Sequence, residues 1–289
     1  MNTFQAIVYG VVQGLTEFLP ISSTAHLRLV PTVFNWTDPG SAFTAVIQLG
    51  TVLAVLIYFW KDLSTAFVAW AKSFSGDKTS VEARTGWAVF YATIPVSIIG
   101  LLIHKYIEGP FRSLYVIGAS FVVMGIIMLI AEKTDKAKRG IDSVQPSDGW
   151  KVGFWQCLAL IPGMSRSGST ISGALFSGFD RPAAARLSFL MSVPAITLAG
   201  LYEGAKEFKN LSHEHLLVPT AIATVVSFVV GYACISWLIG FISRKGTTPF
   251  VAYRIVVGVL ILALCGMGRL DPAPPTEKTN VPTQTTSSS

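Results

Sequence analysis

The sequence predicts an all-α polytopic membrane protein with about six transmembrane helices and two broken, re-entrant helical hairpins related as an inverted-topology repeat. Three observations carry that prediction. Apolar residues make up 51% of the 289 and charged residues only 13%, against about a quarter charged in soluble domains. Apolar runs long enough to cross a bilayer recur along the chain. Two further runs are apolar but cut by proline and polar side chains, and they resemble each other.

The first interrupted region, residues 4–20, is apolar and helix-compatible but holds Gln13, Glu17 and Pro20, with Ser22, Ser23, Thr24, His26 and Arg28 directly after it. Lipid would not tolerate such a run, whereas a segment that enters the bilayer, breaks and returns within protein would. Residues 42–60 then give a clean span, closed by Lys61 and Asp62 and followed by a short amphipathic piece and polar loop to residue 86. Spans at 87–103 and 115–131 follow, and a polar loop at 132–151 carries Lys133, Lys136, Lys138, Arg139 and Lys151. The second interrupted region occupies 152–180, and three spans follow at about 187–203, 217–241 and 250–268. We therefore expect one integral membrane domain over 1–270, with repeats at about 1–131 and 152–268. The Pro/Thr/Ser-rich tail 271–289 is too polar to pack and is expected to be disordered.

Laid side by side, Gln13 to Pro20 with Ser22-Ser23-Thr24 echoes Gln156 to Pro162 with Ser165-Arg166-Ser167. Three spans lie between the copies. An odd number makes them enter from opposite faces, so their broken elements meet near the midplane. Basic residues set the orientation. With the first hairpin entering from outside, eleven of them face inward (Lys61, Lys72, Lys78, Arg84, the five of loop 132–151, Arg244 and Lys245). Six face outward: Lys105, Arg112, Lys206, Lys209, Arg269 and Lys278.

The net charge of +6 does not argue for nucleic acid, because the basic residues are scattered between apolar runs and form no single face. Cys157, Cys234 and Cys265 lie in or beside apolar runs without metal-binding spacing and read as core residues. The N-terminus lacks a basic n-region, so no cleaved signal peptide is expected.

Chemistry concentrates in two places. In Pro162-Gly163-Met164-Ser165-Arg166-Ser167-Gly168-Ser169-Thr170 an arginine sits at membrane depth, where a charge costs ~2.5–3.5 kcal/mol on insertion scales and normally faces a polar cavity or an anion. Gly163 and Gly168 permit positive φ, which would turn N–H groups inward as an anion nest beside the bidentate guanidinium. Small polar residues also pack helices together, and the arginine is what tips the balance towards phosphate binding. In the first region Gln13 and Glu17 are one helical turn apart. A buried carboxylate needs a proton, a cation or a paired arginine, and with the amide oxygen of Gln13 it suits a hard divalent metal. His26 can move a proton near neutrality, unless it is only a hydrogen-bonded core histidine.

Together the string Gln13-Gly14-Leu15-Thr16-Glu17-Phe18-Leu19-Pro20-Ile21-Ser22-Ser23-Thr24-Ala25-His26 and the stretch Pro162 to Thr170 resemble the undecaprenyl-diphosphate phosphatases, also called bacitracin-resistance proteins. The resemblance extends to about Leu270. It implies dephosphorylation of undecaprenyl diphosphate to the monophosphate, which recycles the lipid carrier for cell-wall synthesis and confers bacitracin resistance. It further implies a bacterial inner-membrane site open to the periplasm and aided by Mg²⁺ or Ca²⁺. By position, Glu17 and Gln13 match the acidic motif, Ser23 and His26 the loop after it, and Ser165, Arg166, Ser167 and Thr170 the second motif. Gln13 departs from members with a second carboxylate. The expected catalytic set is Glu17, Ser23, His26, Ser165 and Arg166, the phosphate-binding set Arg166, Ser167, Thr170 and Ser22, and the metal ligands Glu17 and Gln13. The nucleophile is open between Ser23, Ser165 and water. A polyprenyl diphosphate and the bilayer are the expected partners; a homodimer is admissible and nucleic acid is not expected. A secondary transporter or channel for an anionic or phospholipid substrate is the competing reading, because broken helices also build sites that bind without reacting.

Overall fold

A computed structural model describes residues 1–76, 78–134, 139–213 and 216–273, and among these residues the secondary structure is helical apart from one isolated bridge between Arg139 and Phe179. Eleven α-helices follow in order: α1 (Thr3–Phe18), α2 (Ser23–Phe34), α3 (Gly40–Tyr58), α4 (Trp60–Lys72), α5 (Val81–Glu108), α6 (Leu114–Lys133), α7 (Pro146–Gln156), α8 (Arg166–Phe176), α9 (Arg181–His213), α10 (Leu217–Lys245) and α11 (Thr248–Gly266). Helices α5, α6, α9, α10 and α11 are long and apolar enough to cross a membrane, and α3 with α4 forms a sixth candidate bent by 80°. The chain is an all-α polytopic membrane protein.

Both interrupted regions are helical hairpins, α1–α2 and α7–α8. Each break is made by a proline and a serine in an unusual backbone conformation: Pro20 precedes Ser22 (φ 74°, ψ 101°) and Pro162 precedes Ser165 (φ 69°, ψ 118°). Proline removes an N–H and discourages helix before it, and the serine then redirects the chain into a new short helix. The packing repeats as well. Helix α1 lies on α10 as α7 lies on α5, while α3 meets α9 and α6 meets α11 across the pseudo-twofold relation. Near that axis a Cβ on Gly118 would approach the Gly258 carbonyl at 3.2 Å, and one on Gly258 would approach the Gly118 carbonyl at 2.8 Å. Glycine is needed on both sides for backbones this close.

Two boundaries differ from expectation. Helix α5 begins at Val81, six residues earlier than the apolar run, because Ser80 caps it through the Ala83 N–H. The loop expected over 132–151 ends at Pro146, where a proline at the first turn and the Gln145–Asp148 capping box start α7; Lys151 is therefore helical. Arg139 is fixed as well, its two Nη atoms gripping Asp148 at 2.6 and 3.1 Å. Lys136, Lys138, Lys278 and tail residues 274–289 lie outside the described residues. The tail's first residues do pack: Pro272 accepts from the Leu114 N–H and Ala273 from Arg28.

Amphipathic α4 exposes Trp60 and Phe67. Its Trp70 joins Phe74, Trp87 and Phe90 in an aromatic cluster, the composition of a helix lying in a membrane interface.

Candidate active site

The two breaks meet. Glu17, in the last turn of α1, is 5% exposed, and its Oε1 accepts from Arg166 Nη2 at 3.1 Å across 149 positions of chain. Its Oε2 accepts from Ser23 Oγ at 2.7 Å, Gln13 Nε2 at 3.1 Å and Gln48 Nε2 at 3.1 Å. Of the three ways to keep a buried carboxylate, the fold uses a paired arginine with further donors, so the charge is satisfied without solvent.

Ser23 and Arg166 are the first residues of α2 and α8. Both short helices thus direct their N-terminal, partially positive ends at the cluster, which favours an anion there. The guanidinium of Arg166 is not saturated. Nη1 reaches the Ser188 carbonyl at 3.3 Å, while Nε is buried without a partner.

The remaining motif hydroxyls are turned inward. Ser165 Oγ caps α8 by accepting from the Gly168 N–H at 3.1 Å and shares a 3.2 Å hydrogen bond with Ser167 Oγ. Ser167 donates to the Leu19 carbonyl at 3.1 Å, tying the second break to the first. Thr170 bonds Ser188 Oγ at 2.6 Å and the Arg166 carbonyl at 2.8 Å. Gly163 takes a positive φ of 97°, as expected of the nest, but Gly168 is helical and the second positive φ belongs to Ser165. The reason is the capping bond from Gly168, which places that glycine in the first turn.

His26 turns its ring towards Phe121 of α6 and Tyr253 of α11. Its Nδ1 lies 2.7 Å from the Ser22 carbonyl, which can only accept, so Nδ1 carries the proton and Nε2 accepts from Tyr253 Oη at 2.6 Å. The ring stacks on Tyr253 and tilts against Phe121. The fold thus brings Gln13, Glu17, Ser23 and Arg166 together, keeps Ser165, Ser167 and Thr170 behind them, and gives His26 the carbonyl of Ser22 to hold.

Sequence reading overlooked two participants. Gln48 is the lone amide of the run at 42–60. Arg254, in α11, is 0% exposed, yet it donates to the carbonyls of Pro20 (3.2 Å), Ser120 (3.2 Å) and Gly163 (2.6 Å), and its guanidinium lies 4.8 Å over the Phe121 ring. One cation holds both breaks. The cost of charge at membrane depth, which singled out Arg166, applies equally to Arg254 and was the available signal.

Beside the cluster is a cavity of about 520 Å³ between α2, α3, α5 and α9. Gln13, Ser23 and Gln48 form one end, and Val96, Leu101, Leu160, Ala195 and Leu198 an apolar wall. No group of three or more His, Cys, Asp or Glu side chains that could hold a metal occurs among the described residues. The donors around Glu17 are nonetheless all hard: one carboxylate, the amide oxygens of Gln13 and Gln48 if turned, and a hydroxyl. That set fits a hard cation only when a ligand supplies further oxygens.

The chain matches the family model described as bacitracin resistance protein BacA over residues 6–260. It is 47% identical over 284 residues to the undecaprenyl-diphosphatase of Myxococcus xanthus, covering 98% of this chain and 95% of that protein. It is 44% identical over 289 residues to undecaprenyl-diphosphatase 2 of Streptomyces coelicolor, covering 94% and 98%, and 45% identical over 281 residues to the undecaprenyl-diphosphatase of Chloroherpeton thalassium, covering 94% and 99%. The chain belongs to the bacitracin resistance protein BacA family.

Proposed function

We propose that this protein is a membrane hydrolase that removes the terminal phosphate of undecaprenyl diphosphate, returning the monophosphate carrier to cell-wall synthesis and conferring bacitracin resistance. The observation that carries the proposal is the Glu17–Arg166 contact with Ser23 on the same carboxylate, beside a cavity with an apolar wall. Pockets for small ligands run to ~300–1,000 Å³, and this cavity falls in that range. It takes the diphosphate and the first prenyl units, and the rest of the tail stays in lipid.

Arg166 would exchange Glu17 Oε1 for phosphate oxygens, using its unpartnered Nε together with an Nη in a side-by-side grip. That releases Glu17 to act as a base. Ser23 Oγ, already donating to Oε2 at 2.7 Å, attacks the terminal phosphorus as its proton passes to Glu17. The bond from phosphorus to the bridging oxygen breaks, and the monophosphate leaves with that electron pair. Glu17 then gives that proton up to solvent; water attacks the phosphoserine, its proton passes by way of Glu17 to Ser23 Oγ as the bond from phosphorus to that oxygen breaks, and inorganic phosphate leaves. Ser165 is the poorer nucleophile, because its Oγ is committed to Gly168 and Ser167. The leaving group is a phosphate monoester whose second pKa is near 6, so it departs without an acid, and a His26 that positions Ser22 is consistent with this route.

A divalent cation, Mg²⁺ or Ca²⁺, belongs to this reading as a co-ligand of the diphosphate. Glu17, Gln13, Gln48 and Ser23 would hold it, and when bound it would withdraw charge from the phosphoryl oxygens. The site is complete within one chain, so a homodimer would add nothing to it. We place the protein in the bacterial inner membrane with the cavity open to the periplasmic side. The cavity is lined by the half of the molecule remote from the basic loops. The opposite end also gathers Arg181 on Glu132 (2.5 Å) and Arg186 on Asp62 (2.7 Å), which adds to the positive-inside bias.

The test is acid-quenched trapping with terminally labelled lipid diphosphate. Label should appear on the wild-type protein and be absent from Ser23→Ala. Turnover of Ser23→Ala close to wild type would remove the serine from the mechanism.

A further inference from the structure

The cavity has a second polar end that phosphoryl transfer does not use. Its lining includes Arg28, His104 and Arg112 and, among the described residues, no carboxylate. Along α2, at ~1.5 Å per residue, Arg28 lies about 7–8 Å beyond Ser23. That is farther than the two phosphates of one diphosphate reach from the Glu17 cluster.

The charges at this end are incompletely answered. Arg28 donates to two neutral acceptors, Thr32 Oγ1 at 2.6 Å and the Ala273 carbonyl at 3.1 Å, and its Nε is buried without a partner. Arg112 has one long contact, 3.4 Å to Asp38 Oδ2, and both side chains are only 16% exposed. The other oxygen of Asp38 accepts from the Gly40 N–H at 2.8 Å. Asp271 stands within electrostatic reach of Arg28 and accepts from the Ala273 N–H at 2.9 Å. His104 Nδ1 donates to the Leu101 carbonyl at 3.0 Å, which leaves Nε2 of the neutral ring to accept from a phosphate hydroxyl. Snorkelling toward a headgroup region would account for one arginine. It does not account for two arginines and a histidine lining one cavity with an unused guanidinium donor.

We propose that this end of the cavity is a second phosphate-binding site, in which Arg28, Arg112 and His104 hold a phosphate group separately from the Glu17–Arg166 centre. The phosphate comes either from inorganic phosphate on its way out or from the terminal phosphate of an arriving lipid diphosphate. The source rests on the proposed hydrolysis, but the site does not.

Titrating inorganic phosphate into the purified protein in detergent, followed by ³¹P line broadening or calorimetry, reads the site without turnover. Arg166→Gln, which removes the phosphate ligand of the other centre, should still bind phosphate. Arg28→Gln combined with Arg112→Gln should bind it ~10-fold or more weakly, the loss of about one charge-assisted contact. Asp38→Asn removes the competing carboxylate while keeping the cap on Gly40, and should bind severalfold more tightly. In turnover, a raised inhibition constant for phosphate in the double variant identifies the exit route, and a raised KM for the lipid identifies arrival. If the double variant does not purify, Arg28→Gln alone carries the same readouts. Unchanged phosphate affinity in the arginine variant and in Asp38→Asn would overturn the site. A wild type that binds phosphate but releases none from the lipid would overturn only the hydrolase reading.

Discussion

Around Ser22 and around Ser165 the chain makes the same turn after the same kind of helix, yet the first brings polar Ser23 and Thr24 to the cavity and the second apolar Leu160 and Pro162. In the first hairpin the polar face of α1 and α2, with Gln13, Ser23 and Thr24, is left facing open space. In the second, aromatic packing closes the gap between α7 and α8. Trp155 stacks on Phe176 at 5.1 Å, and a Cβ on Gly173 would meet the Trp155 side chain at 2.6 Å. Gln156, the counterpart of Gln13 and as buried as it, donates to the Ala92 carbonyl at 3.3 Å where Gln13 donates to Glu17. The first residues of the two short helices have also diverged, to Ser23 and Arg166. A symmetric scaffold can thus bring two equivalent helix starts to one point, and an asymmetric filling of the space around them decides from which side a ligand arrives.

The comparison breaks most sharply if the two starts are uncoupled. Arg166→Lys and Glu17→Gln should each lower turnover by ~10²–10³, as loss of a group acting directly on a developing charge does. The double variant should be scarcely worse than the poorer single one, because both serve one transition state. Phosphate release at saturating lipid measures this, and losses that multiply would mean separate sites. Next is Arg254→Met, which leaves the carbonyls of Pro20 and Gly163 without their shared donor. Turnover per folded molecule should fall by ~10-fold or more through misplacement of Ser23 and Arg166, with KM little changed. A variant with a lowered melting point and unaltered turnover would make Arg254 structural only.

Smaller effects sharpen the contrast in packing. Gly173→Ala should destabilise by ~1–3 kcal/mol through overpacking. Gly100→Ala, on the cavity wall with its nearest neighbour at 3.3 Å, should be neutral or slightly stabilising, since alanine suits a helix better than glycine. Unfolding in detergent compares the two, and equal losses would contradict a filled half and an open half. The smallest perturbation tests direction: Thr134→Cys should keep near wild-type activity and resist an impermeant thiol reagent on intact cells, whereas Lys105→Cys should react. The reverse pattern would invert the orientation.

Much of this was legible in the residues. Spans follow from apolar length, and both hairpins from prolines and polar residues set in apolar runs. The coincidence of Glu17 and Arg166 follows from counting crossings. What was not legible depends on direction. Gly168 was expected to turn the backbone because glycine can, but Ser165 turns it, since a capping hydroxyl fixes the helix start one residue ahead of Arg166. His26 lies three residues after Ser23, a spacing that puts both on one side of a helix, and its ring is drawn away from Glu17 by Tyr253, 227 positions away. The start of α7 at Pro146 was missed because charge density was weighed above the proline and capping box that begin a helix there.

Ser22 and Ser165 hold φ values of 74° and 69°, where any residue with a Cβ is strained by ~1–3 kcal/mol and glycine is not. Selection for heat resistance alone would therefore replace both with glycine. At Ser165 that exchange would delete the hydroxyl that starts α8 and bonds Ser167, loosening the segment that aims Arg166. At Ser22 it would free the backbone immediately before Ser23. Thermotolerance and turnover are set against each other at these two positions, so a screen that rewards only survival of the fold would enrich for well-folded, inactive protein.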